Sequence, residues 1–324
     1  MRSTARKVED MKIVFFGTPA FSCPFLRALV EDTEMEIIAV VTQPDAPVGR
    51  GRILTPSPVK MLAQELDVRT LTPESLKRDP DAVKALEALG ADVFVVVAYG
   101  KLLPASVLQI PRLGVVNVHP SLLPRHRGPS PMQWAIREGD TRTGVSIMVL
   151  DEGMDTGPIL ARKEVVLDEQ ETYQTLEEKI LHVGPSLLVD TLKRYARGEI
   201  VPEPQDESHA TLTRLLERED GHADWRESAQ TIERKLRAYS AWPGLWSFCE
   251  FKGSQVRLKF LRMVPAQLNQ GTEAGVVRVH EGRLFVRAGD GDMEILELQP
   301  ECKPPMLARA FIAGHRDIDG ARLV

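Results

Sequence analysis

The sequence predicts an α/β protein: a Rossmann-like, doubly wound, mostly parallel sheet, followed by a small OB-type β-barrel. Three observations carry this. Short apolar segments alternate with helix-length ones from Met11 to Glu199, the rhythm of a sheet covered on both faces by helices. One of them, ADVFVVVAY at residues 91–99, is apolar almost throughout, as a central strand buried on both sides must be. Past residue 209 the rhythm gives way to consecutive short strands with Gly-bearing turns. At 324 residues the chain is long for one domain and comfortable for two. The boundaries read from it are a disordered extension at 1–10, a catalytic domain at 11–199, a polar linker at 200–209 and a C-terminal domain at 210–324.

The elements follow in order. MKIVFFG at 11–17 is a strand and PAFSCPFLRALVED at 19–32 a helix; EIIAVVTQ at 36–43 is the second strand. The Pro- and Gly-rich stretch PDAPVGRGRILTPSP, 44–58, reads as a loop, followed by helix VKMLAQEL, a short strand around VRTLTP and helix DAVKALEALG. The central strand 91–99 comes next, then strand VVNVHP at 115–120, helix PMQWAIREG, strand TGVSIMVL at 143–150 and the Gly-punctuated loop DEGMDTGP. A helix over 171–199 closes this half. In the second half, helix ESAQTIERKLRAYS leads through WPG into strands FCEFKG, QVRLKFLRMV and GVVRVHEGRLFVRAGDGDMEILELQ, with Gly289, Asp290 and Gly291 as a hairpin turn. Trp242 and Trp246 read as core residues.

Composition narrows the class. With 43 % apolar and 27 % charged residues the chain matches ordinary globular proteins, and its longest apolar run is far too short to cross a bilayer, so no membrane association is expected. Cys23, Cys249 and Cys302 are odd in number and widely separated, which suits neither a disulfide framework nor a zinc site and points to a reducing cytoplasm. The net charge of -5 hides an uneven distribution. No acid lies between Asp92 and Glu138, where Lys101, Arg112, Arg125, Arg127 and Arg137 stand, and another acid-free run holds Arg50, Arg52 and Lys60. A third basic region spans Arg234 to Arg287. Such patches suit a nucleic acid or phosphorylated ligand along one face.

The chemistry concentrates in NVHPSLLPRHRG, 117–128. Residues two apart on a strand share a face, so Asn117 and His119 project together while Val116 and Val118 point the other way. Pro120 ends the strand at its carboxyl end, where a doubly wound sheet binds its ligand. Asp155, in the loop after the next strand, is in a position to return toward His119. An amide, an imidazole and a carboxylate at neighbouring strand ends form an acyl-transfer set: a donor for the developing oxyanion, a proton carrier, and a carboxylate that orients it. Other chemistries lack their patterns. Ser121 has no G-x-S-x-G elbow, His119 and His126 lack metal-ligand spacing so no metal is expected, and neither a G-x-G-x-x-G fingerprint nor a phosphate-binding G-x-x-x-x-G-K-[ST] loop is present.

NVHPSLLPRHRGPSPMQWAI followed by TGVSIMVLDEGMDTGPIL resembles the signature of the enzymes that transfer a formyl group from 10-formyltetrahydrofolate. The resemblance implies that Asn117, His119 and Asp155 are catalytic, that Ser121, Leu122, Leu123 and Pro124 border the folate, and that 10-formyltetrahydrofolate is the co-substrate. Three stretches resemble the tRNA-directed members of that family: VTQPDAPVGRGRILTPSPVK at 41–60, with Arg50 matching the key basic residue and Arg52 beside it; HADWRESAQTIERKLRAYSAWPG; and GDGDMEILELQPECKPPM. They imply initiator Met-tRNA as partner, the methionine α-amino group as acceptor, a role in translation initiation and no obligate protein partner. Glu301 and Cys302 depart from the family pattern after L-Q-P. A formyltransferase for a small amine, either a sugar nucleotide or glycinamide ribonucleotide, and a formyl-folate hydrolase are the alternatives.

Overall fold

The computed structural model describes residues 11–49, 51–251, 254–268 and 273–324. The extension read at 1–10 and Arg50 lie outside the described residues. The fold divides into two compact units. The first comprises the chain up to Gly128 with Thr143–Val166 and Glu177–Leu212; the second comprises Pro129–Arg142, Leu167–Leu176 and Thr213–Val324.

The first unit holds β1 (Met11–Gly17), α1 (Cys23–Glu31), β2 (Met35–Val41), β3 (Ala46–Val48), β4 (Ile53–Thr55), α2 (Pro58–Glu65), β5 (Thr70–Leu71), α3 (Pro80–Glu87), β6 (Val93–Val97), α4 (Ala105–Leu108) and β7 (Val115–His119). Apart from α5 (Pro131–Glu138), which belongs to the second unit, β8 (Arg142–Val149), β9 (Ile159–Val166) and most of α6 (Tyr173–Ala196) complete it. The sheet order is β5-β2-β1-β6-β7-β8-β9. β5, β2, β1, β6 and β7 run parallel, and β8 turns antiparallel to β7, so the sheet is mixed at that edge.

Burial explains why these segments are strands. Every residue of β6 is buried, and in β1 both Val14 and Phe16 on one face and Ile13 and Phe15 on the other are fully excluded from water. Such burial is worth roughly 1.5–3 kcal/mol for each large side chain. α2 and α3 start where the sequence supplies a cap. Ser57 Oγ accepts the Lys60 N–H at 3.0 Å ahead of α2, and Asp79 Oδ1 accepts the Ala82 N–H at 2.9 Å ahead of α3, each with proline in the first turn. α6 tolerates Pro185 in its middle, and the preceding Gly184 allows close approach: a Cβ there would meet the Phe25 ring at 2.7 Å.

The stretch 44–58, read as a loop, contains the hairpin β3–β4, paired Ala46 to Thr55 and Val48 to Ile53. Its strands have three residues each and one contains Pro47, too short and interrupted for a period-two signal. β9 was also unexpected. Ile159, Leu160 and Val165 are buried while Arg162, Lys163, Glu164 and Val166 are exposed, as at the edge of a sheet.

The second unit carries α7 (Ala229–Ala238), β10 (Leu245–Phe251), β11 (Ser254–Ala266), β12 (Val277–His280), β13 (Arg283–Arg287), β14 (Asp292–Pro300), β15 (Met306–Leu307), α8 (Ala308–Gly314) and β16 (Arg322–Leu323). The antiparallel order is β12-β13-β14-β11-β10-β16, with β15 beside β14. It closes on itself: Val276 bridges Arg322, and the Leu323 N–H donates to the Gly275 carbonyl at 2.8 Å. The 289–291 turn also serves α7, because Asp290 Oδ1 accepts the Ala229 N–H at 2.8 Å. Trp225, Phe260, Val286, Met293 and Leu298 fill the core. Trp242, expected inside, is 51 % exposed, while Trp246 is half-buried and stacks on His222 with centroids 4.6 Å apart. No helix among the described residues is long and apolar enough to cross a membrane.

Candidate active site

β7 ends at His119, and its pairing with β8 sets Asn117 opposite Met148 and His119 opposite Ser146. Val116 and Val118 are buried on the opposite face, which leaves Asn117 half-buried and His119 4 % exposed on the face that carries the loops.

The loop after β7 folds back on its own strand. Ser121 Oγ donates to the Arg125 carbonyl at 2.6 Å, Ser146 Oγ donates to the Ser121 carbonyl at 2.7 Å, and the Leu123 N–H donates to Ser146 Oγ at 3.1 Å. These bonds bring the His126 carbonyl to 2.9 Å from His119 Nε2 and turn the Gly128 N–H toward Asp155 Oδ2, at 2.7 Å. On the other side, Asp151 Oδ1 shapes the turn after β8 by accepting the Gly153 N–H at 3.0 Å and the Thr156 hydroxyl at 2.7 Å. Asp155 sits in that turn with φ of 54°, in the left-handed region. Gly157 follows, where a Cβ would lie 1.9 Å from the Val149 carbonyl oxygen.

His119 Nδ1 and Asp155 Oδ2 stand 3.6 Å apart, within ion-pair range and longer than a hydrogen bond. A carbonyl only accepts, so Nε2 carries a hydrogen toward His126, and Nδ1 is the nitrogen at which a proton arrives or leaves. Burial pushes the His119 pKa below its ordinary 6.5, while the Asp155 carboxylate and the His126 carbonyl pull the other way. Burial thus favours the neutral imidazole in the free site, and a proton added at Nδ1 faces the Asp155 side chain 3.6 Å away.

The structure thus brings Asn117, His119 and Asp155 to one end of the sheet, with residues 121–124 beside them. Ser121 and Leu123 are buried: the serine hydroxyl is engaged within the loop, and Leu123 packs with Met148 and Ile159. Leu122 and Pro124 are half-buried. Arg52 is exposed on the separate β3–β4 hairpin, at φ of 47°, with its N–H donating to the Gly49 carbonyl. Arg50 falls outside the described residues. Sequence reasoning missed Ser146, a buried hydroxyl between Val145 and Ile147 in β8 that bonds into the loop after β7. It also missed Arg127 and Gln205, which hydrogen-bond each other at 2.9 and 3.1 Å. An apolar cavity of about 290 Å³ lies elsewhere, between α3 and the ends of β2 and β5, and none of these residues lines it. No cluster of three or more His, Cys, Asp or Glu among the described residues is arranged to hold a metal.

Comparison with known proteins shows the family. The family described as "Formyl transferase" matches residues 11–192, and "Formyl transferase, C-terminal domain" matches 215–316. The methionyl-tRNA formyltransferase of Chloroflexus aurantiacus is 46 % identical over 308 residues, covering 95 % of this chain and 98 % of that one. Among solved structures, an N-formyltransferase from Helicobacter canadensis in complex with folinic acid and dTDP-3-aminofucose superposes with a TM-score of 0.62 at 16 % identity, over 88 % of this chain and 98 % of that one. HypX from Aquifex aeolicus in complex with tetrahydrofolic acid gives 0.59 at 18 % identity, over 95 % of this chain; the chain spans 48 % of HypX. At these identities the two structures speak for the fold alone. With family matches over both halves and a relative this similar end to end, the chain belongs to the formyl transferase family.

Proposed function

We propose that the protein transfers the formyl group of 10-formyltetrahydrofolate to the α-amino group of methionine esterified to initiator tRNA, in the cytoplasm, for translation initiation. The observation that carries this reading is the His119–Asp155 contact at the end of β7, with Asn117 on the same strand face. The likeness along the whole chain to methionyl-tRNA formyltransferases supports the choice of acceptor.

The chemistry follows from the groups present. A free α-amino group titrates at about 7.7–8.0, and the ester lowers this, so much of the nucleophile is neutral at physiological pH. Attack on the formyl carbon puts negative charge on its oxygen. The Asn117 amide is the donor for that charge, a contribution of roughly 3–4 kcal/mol for one preorganised donor. His119 takes the proton released by the attacking amine and returns it to the departing folate nitrogen, and Asp155 stabilises the imidazolium between those two moments. Ser121, Leu122, Leu123 and Pro124 border the folate; Leu122 and Pro124 are the two with exposed surface.

The remaining assignments belong to the same proposal. The hairpin bearing Arg50 and Arg52 meets the tRNA acceptor end, and exposed Ile53 and Leu54, at 71 % and 66 %, give it an apolar tip. The C-terminal barrel, of OB type, holds tRNA phosphates through its basic residues. Residues 11–199 do the chemistry and 210–324 bind RNA. The test is single-turnover transfer from formyl-labelled 10-formyltetrahydrofolate, with Met-tRNA, an amino sugar nucleotide, glycinamide ribonucleotide or water as acceptor. Fast transfer that requires Met-tRNA is the expected result. Equal formate release without tRNA, or faster transfer to a small amine, overturns the reading.

A further inference from the structure

The segment 203–212 crosses both loops that carry the His119–Asp155 pair. Glu203 exchanges its two backbone hydrogen bonds with Ile159, each 2.8 Å, just beyond the Asp155 turn. At the other end, the Arg127 N–H donates to the Thr211 carbonyl at 2.9 Å and the His126 N–H donates to the Thr211 hydroxyl at 2.8 Å. One end is fastened behind Asp155 and the other to the loop that follows His119.

Gln205 lies between these anchors. Its Nε2 donates to the carbonyls of Asp155 and Gly157 at 2.8 and 2.7 Å, and its Oε1 accepts from Arg127 Nε and Nη2 at 3.1 and 2.9 Å. Both N–H groups and both lone pairs of the amide are thereby used. Arg127, 3 % exposed, gives further N–H groups to the Glu207 carboxylate at 2.7 and 2.8 Å. It stands between His126, whose carbonyl holds His119 Nε2, and Gly128, whose N–H holds the Asp155 carboxylate.

This geometry has a direct consequence. Asp155 occupies a left-handed backbone conformation that a residue with a side chain adopts only at some cost, so its neighbours must fix it there. Gln205 grips the Asp155 carbonyl from one side while Arg127 ties Gln205 to the loop carrying the partners of both side chains. We infer that Gln205 is a positioning residue for the transfer reaction: it sets the Asp155 carboxylate against His119 by joining the Asp155 turn to Arg127. The inference rests on the role proposed above for Asp155.

The test is a double-mutant cycle in the full chain, with 10-formyltetrahydrofolate and Met-tRNA as substrates. Gln205→Met keeps the shape and removes every polar contact; Gln205→Glu keeps the acceptor for Arg127 and removes the donors to the two carbonyls. Two variants are used because a carboxylate against two carbonyls can unfold the turn, whereas the methionine brings no charge. Each should lower kcat by about 10- to 100-fold, the scale of a misplaced catalytic group, with KM for both substrates within about two-fold. On an Asp155→Asn background the Gln205 change should cost almost nothing more, because the group it positions is already disabled. A Gln205→Met protein of wild-type kcat, or one whose loss is as large on the Asp155→Asn background, overturns the inference while leaving the catalytic reading intact. An Asp155→Asn protein of wild-type rate removes both.

Discussion

Replacing Gly157 by Ala tests how tightly the Asp155 turn is set. The added Cβ would stand 1.9 Å from the Val149 carbonyl oxygen, against an ordinary C···O approach of about 3.3 Å, so something must move by roughly 1.4 Å. β8 will not yield readily. Val149 pairs with Val116, the Leu150 N–H donates to the Val115 carbonyl at 2.7 Å, and both partners lie in the sheet core. The turn has exposed residues from Asp151 to Met154 and gives instead, carrying Asp155 with it. Moving the carboxylate from 3.6 Å to about 5 Å from Nδ1 removes on the order of 1 kcal/mol of attraction at an effective dielectric of about 20. Losing the charge-assisted bond from the Gly128 N–H removes a further ~1.5–3 kcal/mol. Together these correspond to a fall in kcat of about 10²- to 10³-fold, since about 1.4 kcal/mol is tenfold. Single-turnover formyl transfer reads the rate, and thermal unfolding separates a displaced turn from an unfolded chain. A Gly157→Ala protein that is folded and within about two-fold of wild type would show that the placement of Asp155 does not limit the reaction.

Other parts of the molecule make their own predictions. Asn117→Ala and His119→Ala should each lower the maximal rate by at least ~100-fold with folate binding retained, read by transfer assay and equilibrium titration. Because folding depresses the His119 pKa below 6.5, the unfolded chain binds its proton first as pH falls. The neutral imidazole's contribution is whole above pH 6.5 and is lost downward from there through the folded pKa, so the stability difference between wild type and His119→Gln should shrink below pH 6.5, by at most ~1.4 kcal/mol per pH unit in denaturant titrations. The Tyr99 hydroxyl is buried with no hydrogen-bond partner among the described residues, and burial pushes its pKa up to about 12. Tyr99→Phe should therefore raise stability by ~1 kcal/mol in chemical denaturation, and a comparable loss would mean that the hydroxyl is satisfied in solution. Arg52→Ala should weaken use of Met-tRNA and flatten its salt dependence by about one unit of log–log slope, leaving folate hydrolysis unchanged; an unaltered slope would separate Arg52 from the phosphates.

The parts of this molecule that could be read in advance are those whose physics is written in side-chain polarity. β1, β2, β6 and β7 announce themselves because burial on both faces requires apolar runs, and the second part shows in the change to short strands with Gly-bearing turns past residue 209. Asn117 and His119 stand out for the converse reason: they interrupt such a run with a period of two, directly before a proline that stops the strand. β9, the β3–β4 hairpin and α8 stayed hidden, since an edge strand, three-residue strands and a seven-residue helix bury too little to impose a pattern. The same reasoning explains the silence around Asp155. Its conformation is held by the Gln205 amide acting on backbone carbonyls, by the Gly128 N–H and by a close approach at Gly157. Backbone donors and acceptors are the same at every residue, so a side chain that works on them leaves no complementary residue elsewhere in the sequence to betray it. A polar stretch such as PEPQDES thus looks like a tether when its glutamine is spending all four of its hydrogen-bonding positions on the loops that hold the reacting groups.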